Sequence, residues 1–197
     1  MTTSGLRERK KADTRRALTE AAVGLCIERG YQVVTVADIA EAAGVSRRTF
    51  SNYFPGKAEC VVGFGDGLLS DVLDVVAAAP PGTAMRDLLV LGLARLTESF
   101  GTGFDGFVEL VQSEPDLQAA EVAVDAAIIE RITEAVVALV DARPGDIRPR
   151  AFAVTACALA RVAGDSWVLD GRPGGTDGLS QRLTQAFSLL DPDALTR

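Results

Sequence analysis

Apolar residues recur at intervals of three and four along almost the whole chain. Leu18, Ala21, Ala22 and Leu25 fall at i, i+3, i+4 and i+7, which predicts an amphipathic helix over residues 8–29. Gly30 stops it. Thr35-Val-Ala-Asp38 has capping-box form, with Asp where Glu is commoner, and opens a short second helix whose apolar face is Val36, Ile39, Ala40 and Ala43. Gly44 ends that helix, Ser46 caps a third, and Phe50 and Phe54 form the inward face of the third before Pro55-Gly56 interrupts the pattern. A long helix is predicted from Lys57 to Ala79, closed by Pro80-Pro81. Further helices follow: one marked by Met85, Leu88, Leu89, Gly92, Leu96 and Phe100, and a shorter one holding Phe107, Leu110 and Val111. Another runs from about Ser113–Asp116 to Ala142, and the last two cover 148–170 and 176–190. No stretch alternates with period two for long enough to demand a strand, so the expected fold is all-α with about nine helices.

Two glycine patterns need weighing against this background. Residues 101–106, GTGFDG, match G-x-G-x-x-G, but the dinucleotide fingerprint requires a preceding strand and here a helix precedes. The run reads as a glycine-rich loop between helices. Gly63, Gly65 and Gly67 sit inside a helical pattern, where each costs about 1 kcal/mol relative to alanine. Either they permit close helix packing or local flexibility, or they form a hinge between two regions.

Composition removes much chemistry. The chain of 197 residues has no histidine, which excludes histidine-based acid–base catalysis, serine–histidine triads and His-ligated zinc. Cys26, Cys60 and Cys157 lie far apart among apolar residues, as core or pocket-wall thiols or as a redox sensor. Paired acids such as Glu130 and Glu134 have no companion base and read as a solvated helix face. No enzyme activity, cofactor or metal is expected. No apolar run is expected to reach the ~18–20 residues that span a bilayer, and no secretory signal follows the basic N-terminus, so the expected setting is cytoplasmic, without a membrane partner.

The net charge of −7 is unevenly placed: residues 1–60 carry +3 and residues 61–197 carry −10. The first 16 residues alone hold six basic and two acidic side chains. Such asymmetry implies regions with different partners.

The segment IAEAAGVSRRTFSNYFPGKAE, residues 39–59, says what the basic region faces. Two short helices joined by a glycine turn form a helix-turn-helix, whose second helix enters the DNA major groove with its N-terminal residues at base edges. With Phe50 and Phe54 inward, Arg47, Arg48, Thr49 and Ser51 occupy the rim and outer face. Arginine can donate two parallel hydrogen bonds to guanine, a discrimination of ~1–3 kcal/mol. Thr35, Ser46, Asn52, Tyr53 and Lys57 complete the candidate DNA-binding set, with Thr35, Tyr53 and Lys57 placed for phosphates. Arg15 and Arg16 add sequence-blind attraction. The acidic remainder does not defeat this, because a helix over 57–79 is ~35 Å long while the Debye length is ~8 Å.

Residues 35–59, TVADIAEAAGVSRRTFSNYFPGKAE, resemble the TetR-type (tetracycline-repressor-like) bacterial regulators. The family pattern is similar to T-x-x-x-I-A-x-x-A-G-V-S-x-x-T-[LF]-Y-x-[YH]-F-x-x-K. Thr35, Ile39, Ala40, Ala43, Gly44, Val45, Ser46, Thr49, Phe50, Tyr53, Phe54 and Lys57 fit it. Ser51 departs, since many members carry an aromatic there that touches DNA, and this shifts expectation onto Arg47 and Arg48. The resemblance implies a helix-turn-helix domain over 1–56 and a helical ligand-binding and dimerisation domain over 57–197. It implies a homodimer through the last two helices and a small-molecule effector that releases a double-stranded operator.

The residues give partial support of their own. The 148–170 helix is apolar on nearly all sides and needs partners on two faces. Phe104, Phe107, Ile132 and Trp167 are candidate pocket walls that core packing explains equally well. Arg161 either holds an anionic ligand or pairs with a nearby acid. Two further readings stay open: a regulator gated by cysteine oxidation or a protein partner, and a helical enzyme or carrier of an apolar ligand.

Overall fold

The computed structural model describes residues 3–80, 82–99 and 104–192. Among these the chain forms nine α-helices and no strand. They are α1 Thr3–Arg29, α2 Val36–Ala42, α3 Arg47–Ser51, α4 Lys57–Ala77, α5 Met85–Glu98, α6 Phe104–Ser113, α7 Pro115–Val140, α8 Arg148–Leu169 and α9 Gly175–Phe187. α1 begins five residues before its expected start. Pro81, Phe100 and the Gly101-Thr102-Gly103 part of the glycine-rich run lie outside the described residues.

The helices group into two compact units. The first comprises residues up to Gly67 together with Glu109–Val124, and the second comprises Leu68–Val108 with the chain from Asp125 onward.

The core of the first unit is built from Leu18, Ala22, Val23 and Cys26 of α1, Ile39 and Ala40 of α2, Phe50 and Phe54, Cys60, Val61 and Val62 of α4, and Leu117 of α7. Full burial of each large side chain contributes about 1.5–3 kcal/mol. The turn glycines act as the pattern requires: Gly30 and Gly44 have φ of +88° and +67°, a region costly for any residue with a Cβ. Gly63 is the close-packing case. A Cβ there would meet Phe54 Cε1 at 2.9 Å, whereas Gly65 and Gly67 face open space. The α1–α2 turn is tied to the α6–α7 corner, where Gln32 Nε2 donates to Glu114 Oε2 at 2.8 Å.

In the second unit Met85 and Leu88 of α5 pack on Val136 of α7, flanked by Val76, Ala79, Ile132, Val140 and Phe152. α8 and α9 form an antiparallel pair around Trp167, Leu179 and Leu183. The connection between them depends on Gly178, where a Cβ would lie 1.8 Å from the Pro173 carbonyl oxygen. Arg182 of α9 donates to Ser166 Oγ at 2.5 Å and pairs with Asp170 at 2.8 Å, fixing the same junction.

No uninterrupted apolar run reaches the length that spans a bilayer, but α8 taken as a whole helix is long and apolar enough to do so. By length and composition alone its 22 residues suffice, the most apolar 18-residue window having a mean hydropathy of 1.3. Small residues and scattered charges hid this in the sequence, because Arg161 and Asp165 interrupt the continuous apolar stretch. Arg161 pairs with Asp125 of α7, a polar tie on the helix's own flank that suits a helix packed against protein.

Candidate nucleic-acid interface

Three helix starts and one turn build this face. Thr35 caps α2 in a closed reciprocal box: its backbone N–H donates to Asp38 Oδ2 at 2.8 Å, its hydroxyl donates to the same oxygen at 2.6 Å, and the Asp38 N–H donates back at 3.3 Å. The Thr35 hydroxyl, followed by its backbone N–H, holds the Asp38 carboxyl below the usual carboxylate range. Aspartate therefore does in this box what glutamate more often does.

Ser46 caps α3 with its side-chain oxygen, which accepts from the Thr49 N–H at 3.0 Å and lies 2.9 Å from the Thr49 hydroxyl. Gly44 ahead of it supplies the reversal, and Phe50 and Phe54, 1% and 2% exposed, clamp α3 onto the core. Their ring centroids are 6.0 Å apart. With that side buried, Arg47 and Arg48 in the first turn of α3 are both exposed. Among the described residues neither guanidinium has an ion pair or a hydrogen-bond partner. Two fixed charges on a five-residue helix held at both ends form a rigid, cationic tip, the arrangement that bidentate recognition of base edges requires.

The remaining expected residues divide. Ser51 is exposed, but its hydroxyl donates to the Arg47 carbonyl at 3.2 Å and so folds back on its own helix. Asn52 ends α3, exposed, and Tyr53 is half-buried beside it. Arg16 is exposed. Arg15 and Lys57 are occupied inside the unit. The Arg15 guanidinium lies 4.3 Å from the Phe54 ring centroid, donates to the Tyr53 carbonyl at 3.3 Å and faces Asp66 at 3.5 Å. Lys57 Nζ donates to the carbonyls of Val34, at 2.8 Å, and of Tyr31, and stands 4.0 Å above the Tyr31 ring centroid. An ammonium has three donors, so two are already committed to the α1–α2 turn. Partners this far away in sequence left no trace in its local pattern.

The candidate pocket residues also find partners. Trp167 is fully buried and its indole N–H donates to the Pro173 carbonyl at 3.3 Å. Ile132 packs against the Met85, Leu88 and Val136 cluster. Phe104 and Phe107, each 9% exposed, tilt against one another with centroids 6.0 Å apart. Of the two readings of Arg161, pairing with an acid is the one observed, with Asp125 as the partner.

Burial raises all three thiols: Cys60 to about 12, Cys157 to about 11, and Cys26 also above its ordinary value. Cys60 further donates to the Leu18 carbonyl at 3.4 Å. Such thiols carry little thiolate at neutral pH and react slowly.

Comparison with known proteins agrees with this geometry. Residues 18–63 match the family model of bacterial regulatory proteins of the tetR family, and residues 80–194 match that of the MftR C-terminal domain. The chain is similar to the HTH-type transcriptional regulator TcmR of Streptomyces glaucescens, 30% identical over 203 residues covering 96% of this chain and 88% of that protein. In fold it is similar to Thermus thermophilus FadR, a TetR-family repressor whose crystal structure contains lauroyl-CoA. The TM-score is 0.55 at 24% identity, covering 89% of this chain and 92% of that one. A tetR-family regulator from Streptomyces coelicolor gives a TM-score of 0.54 at 21% identity, with 93% and 86% covered. Two family models that together span most of the chain, a relative matched along nearly all its length and an uncommitted arginine pair on a capped recognition helix lead to one assignment: the chain belongs to the TetR family of DNA-binding transcriptional regulators.

Proposed function

We propose that the protein acts in the cytoplasm as a homodimeric repressor that occupies a palindromic operator and is released from it by a small-molecule effector. The observation that carries the DNA-reading part is the exposed, unengaged pair Arg47 and Arg48 at the start of α3. In this reading both guanidiniums meet base edges, with Thr49 close enough to let the backbone approach. The starts of α2 and α3, with Thr35, Ser46 and Tyr53, take phosphates. Lys57 supports the phosphate-facing turn from within. Residues 1–56 do the reading and residues 57–197 do the sensing and pairing.

Dimerisation through α8 and α9 is supported by what α8 leaves uncovered. Val154 and Val162 are 45% and 61% exposed, and with exposed Ala158 between them they form one apolar stripe at four-residue spacing. A symmetry mate presenting the same stripe would bury both copies. The effector role is supported by FadR, which holds lauroyl-CoA on a similar fold. The thiols, suppressed by burial, favour a ligand over cysteine oxidation as the trigger.

The test is selection from a random duplex pool by the full-length protein. An inverted repeat should emerge, and Arg48→Ala should lose about 1–3 kcal/mol at one base position per half-site while relaxing preference there. Equal loss on every duplex would remove Arg48 from base reading. Val162→Glu should shift the protein from dimer to monomer in sedimentation, and an unchanged dimer would reject this interface.

A further inference from the structure

Among the described residues, the N-terminal part of α1 carries no buried side chain. Leu18 is the first buried side chain of α1 among those described, whereas Arg7, Arg9, Lys10, Lys11, Ala12 and Asp13 are all exposed. Arg7, Lys10 and Lys11 fall at i, i+3 and i+4 and share one face, which Thr14 continues with its hydroxyl turned onto the Lys10 carbonyl at 2.9 Å. Among the described residues Arg7, Lys10 and Lys11 have no ion pair. A stretch of helix whose described side chains are all exposed draws little stability from packing, and like charges at this spacing weaken it further. A dense field of negative charge would reverse both effects.

The position of this arm is set by Arg15. Its guanidinium reaches the Tyr53 carbonyl and covers Phe54, just past the end of α3, so the arm leaves the unit beside the recognition helix. Arg15 is thereby engaged by partners of its own unit while still partly exposed, and Arg7, Lys10 and Lys11 lie farther toward the N-terminus of α1. From Thr3 to Thr14 the arm measures ~18 Å at 1.5 Å per residue. Duplex DNA presents one phosphate charge per ~1.7 Å of axis.

We propose that the N-terminal arm of α1 is a second DNA-contact element, in which Arg7, Lys10 and Lys11 neutralise backbone phosphates next to the half-site without reading bases. The proposal rests on the DNA-reading assignment of α3 and adds a contact that α3 does not make. Each subunit then brings one sequence-reading tip and one sequence-blind arm.

The experiment measures affinity against salt concentration for full-length protein on a duplex that the wild-type protein has selected from a random pool. Replacing Arg7, Lys10 and Lys11 together by alanine should flatten the log–log salt slope by about 0.9 for each phosphate that is no longer neutralised, about two to five in total for a dimer. The base preference of the variant should match that of the wild type. The charge-preserving set Arg7→Lys, Lys10→Arg and Lys11→Arg should keep the wild-type slope, which guards against a folding defect. A slope unchanged by the alanine set overturns the arm as a phosphate-binding element. A changed base preference overturns its sequence-blind character. Failure of the wild type to select any sequence strikes instead at the reading of α3, so the two failures are distinct.

Discussion

Gly63 of α4 lies against the ring of Phe54, so close that a methyl group at residue 63 would stand 2.9 Å from Cε1 of that ring and 3.3 Å from Thr19 Cγ2. Phe54 is 2% exposed and Thr19 3%, so neither can withdraw without disturbing the clamp on α3. Gly63→Ala should therefore destabilise the protein by about 1–3 kcal/mol. Gly65→Ala, two residues on in open space, should stabilise it by about 0.5–1 kcal/mol through helix propensity. Urea unfolding midpoints of the two variants should move in opposite directions. A common direction would mean that Gly63 is not a packing residue.

Lys57 offers a second test, because structural and DNA-contact roles predict different outcomes. Lys57→Met keeps the stem but strips the donors from the Tyr31 and Val34 carbonyls. Hydrogen bonds to a charged group contribute about 1.5–3 kcal/mol each, so unfolding free energy should drop by about 2 kcal/mol or more. Operator affinity should weaken evenly across sequences as the turn loosens. If the melting temperature holds while affinity falls, the ammonium acts on phosphate instead.

Asp146 sets an acid dependence. The hydrogen bond from the Arg148 side chain, helped by the Arg148 backbone N–H, lowers its carboxyl to about 2. A depressed carboxylate stabilises the fold fully above its unfolded value of about 3.9 and loses that contribution as pH falls toward about 2. Between those limits wild-type stability should fall more steeply than that of Asp146→Asn. Parallel curves from pH 4 down to pH 2 would show that the Arg148 pairing does not persist in solution.

Thiol chemistry gives a fourth prediction. With Cys60 raised to about 12 and Cys157 to about 11, an aromatic disulfide reagent at pH 8 should label native protein far more slowly than urea-unfolded protein. Peroxide should leave operator binding unchanged. Release by peroxide, abolished by a triple Cys→Ser replacement, would move the trigger from ligand to redox.

Features encoded by neighbours in sequence are legible in the sequence itself. The Thr35–Asp38 box, the left-handed Gly44, the Ser46 cap and the inward Phe50 and Phe54 each depend on residues within four positions, where helix geometry dictates who meets whom. Arg15 and Lys57 are harder. Their partners lie 38 and 26 residues away, and a basic residue beside a DNA-reading helix looks the same in sequence whether it points outward or inward. Gly63 and Arg161 each have two readings, which only the atoms across the gap can separate. Trp167 likewise carries no local mark that tells a pocket wall from a fully enclosed core ring.

The bond from Gln32 to Glu114, together with fully buried Leu117, makes the α6–α7 corner a working part of the first compact unit even though 82 residues of chain separate the bonded side chains. That matters to anyone splicing regulators. A hybrid joined near residue 56 would pair this chain's reading head with a foreign corner, removing the Gln32 acceptor and a matched plug at one stroke. Grafts that carry residues 109–124 along with the head should express and fold better than those cut at a single seam.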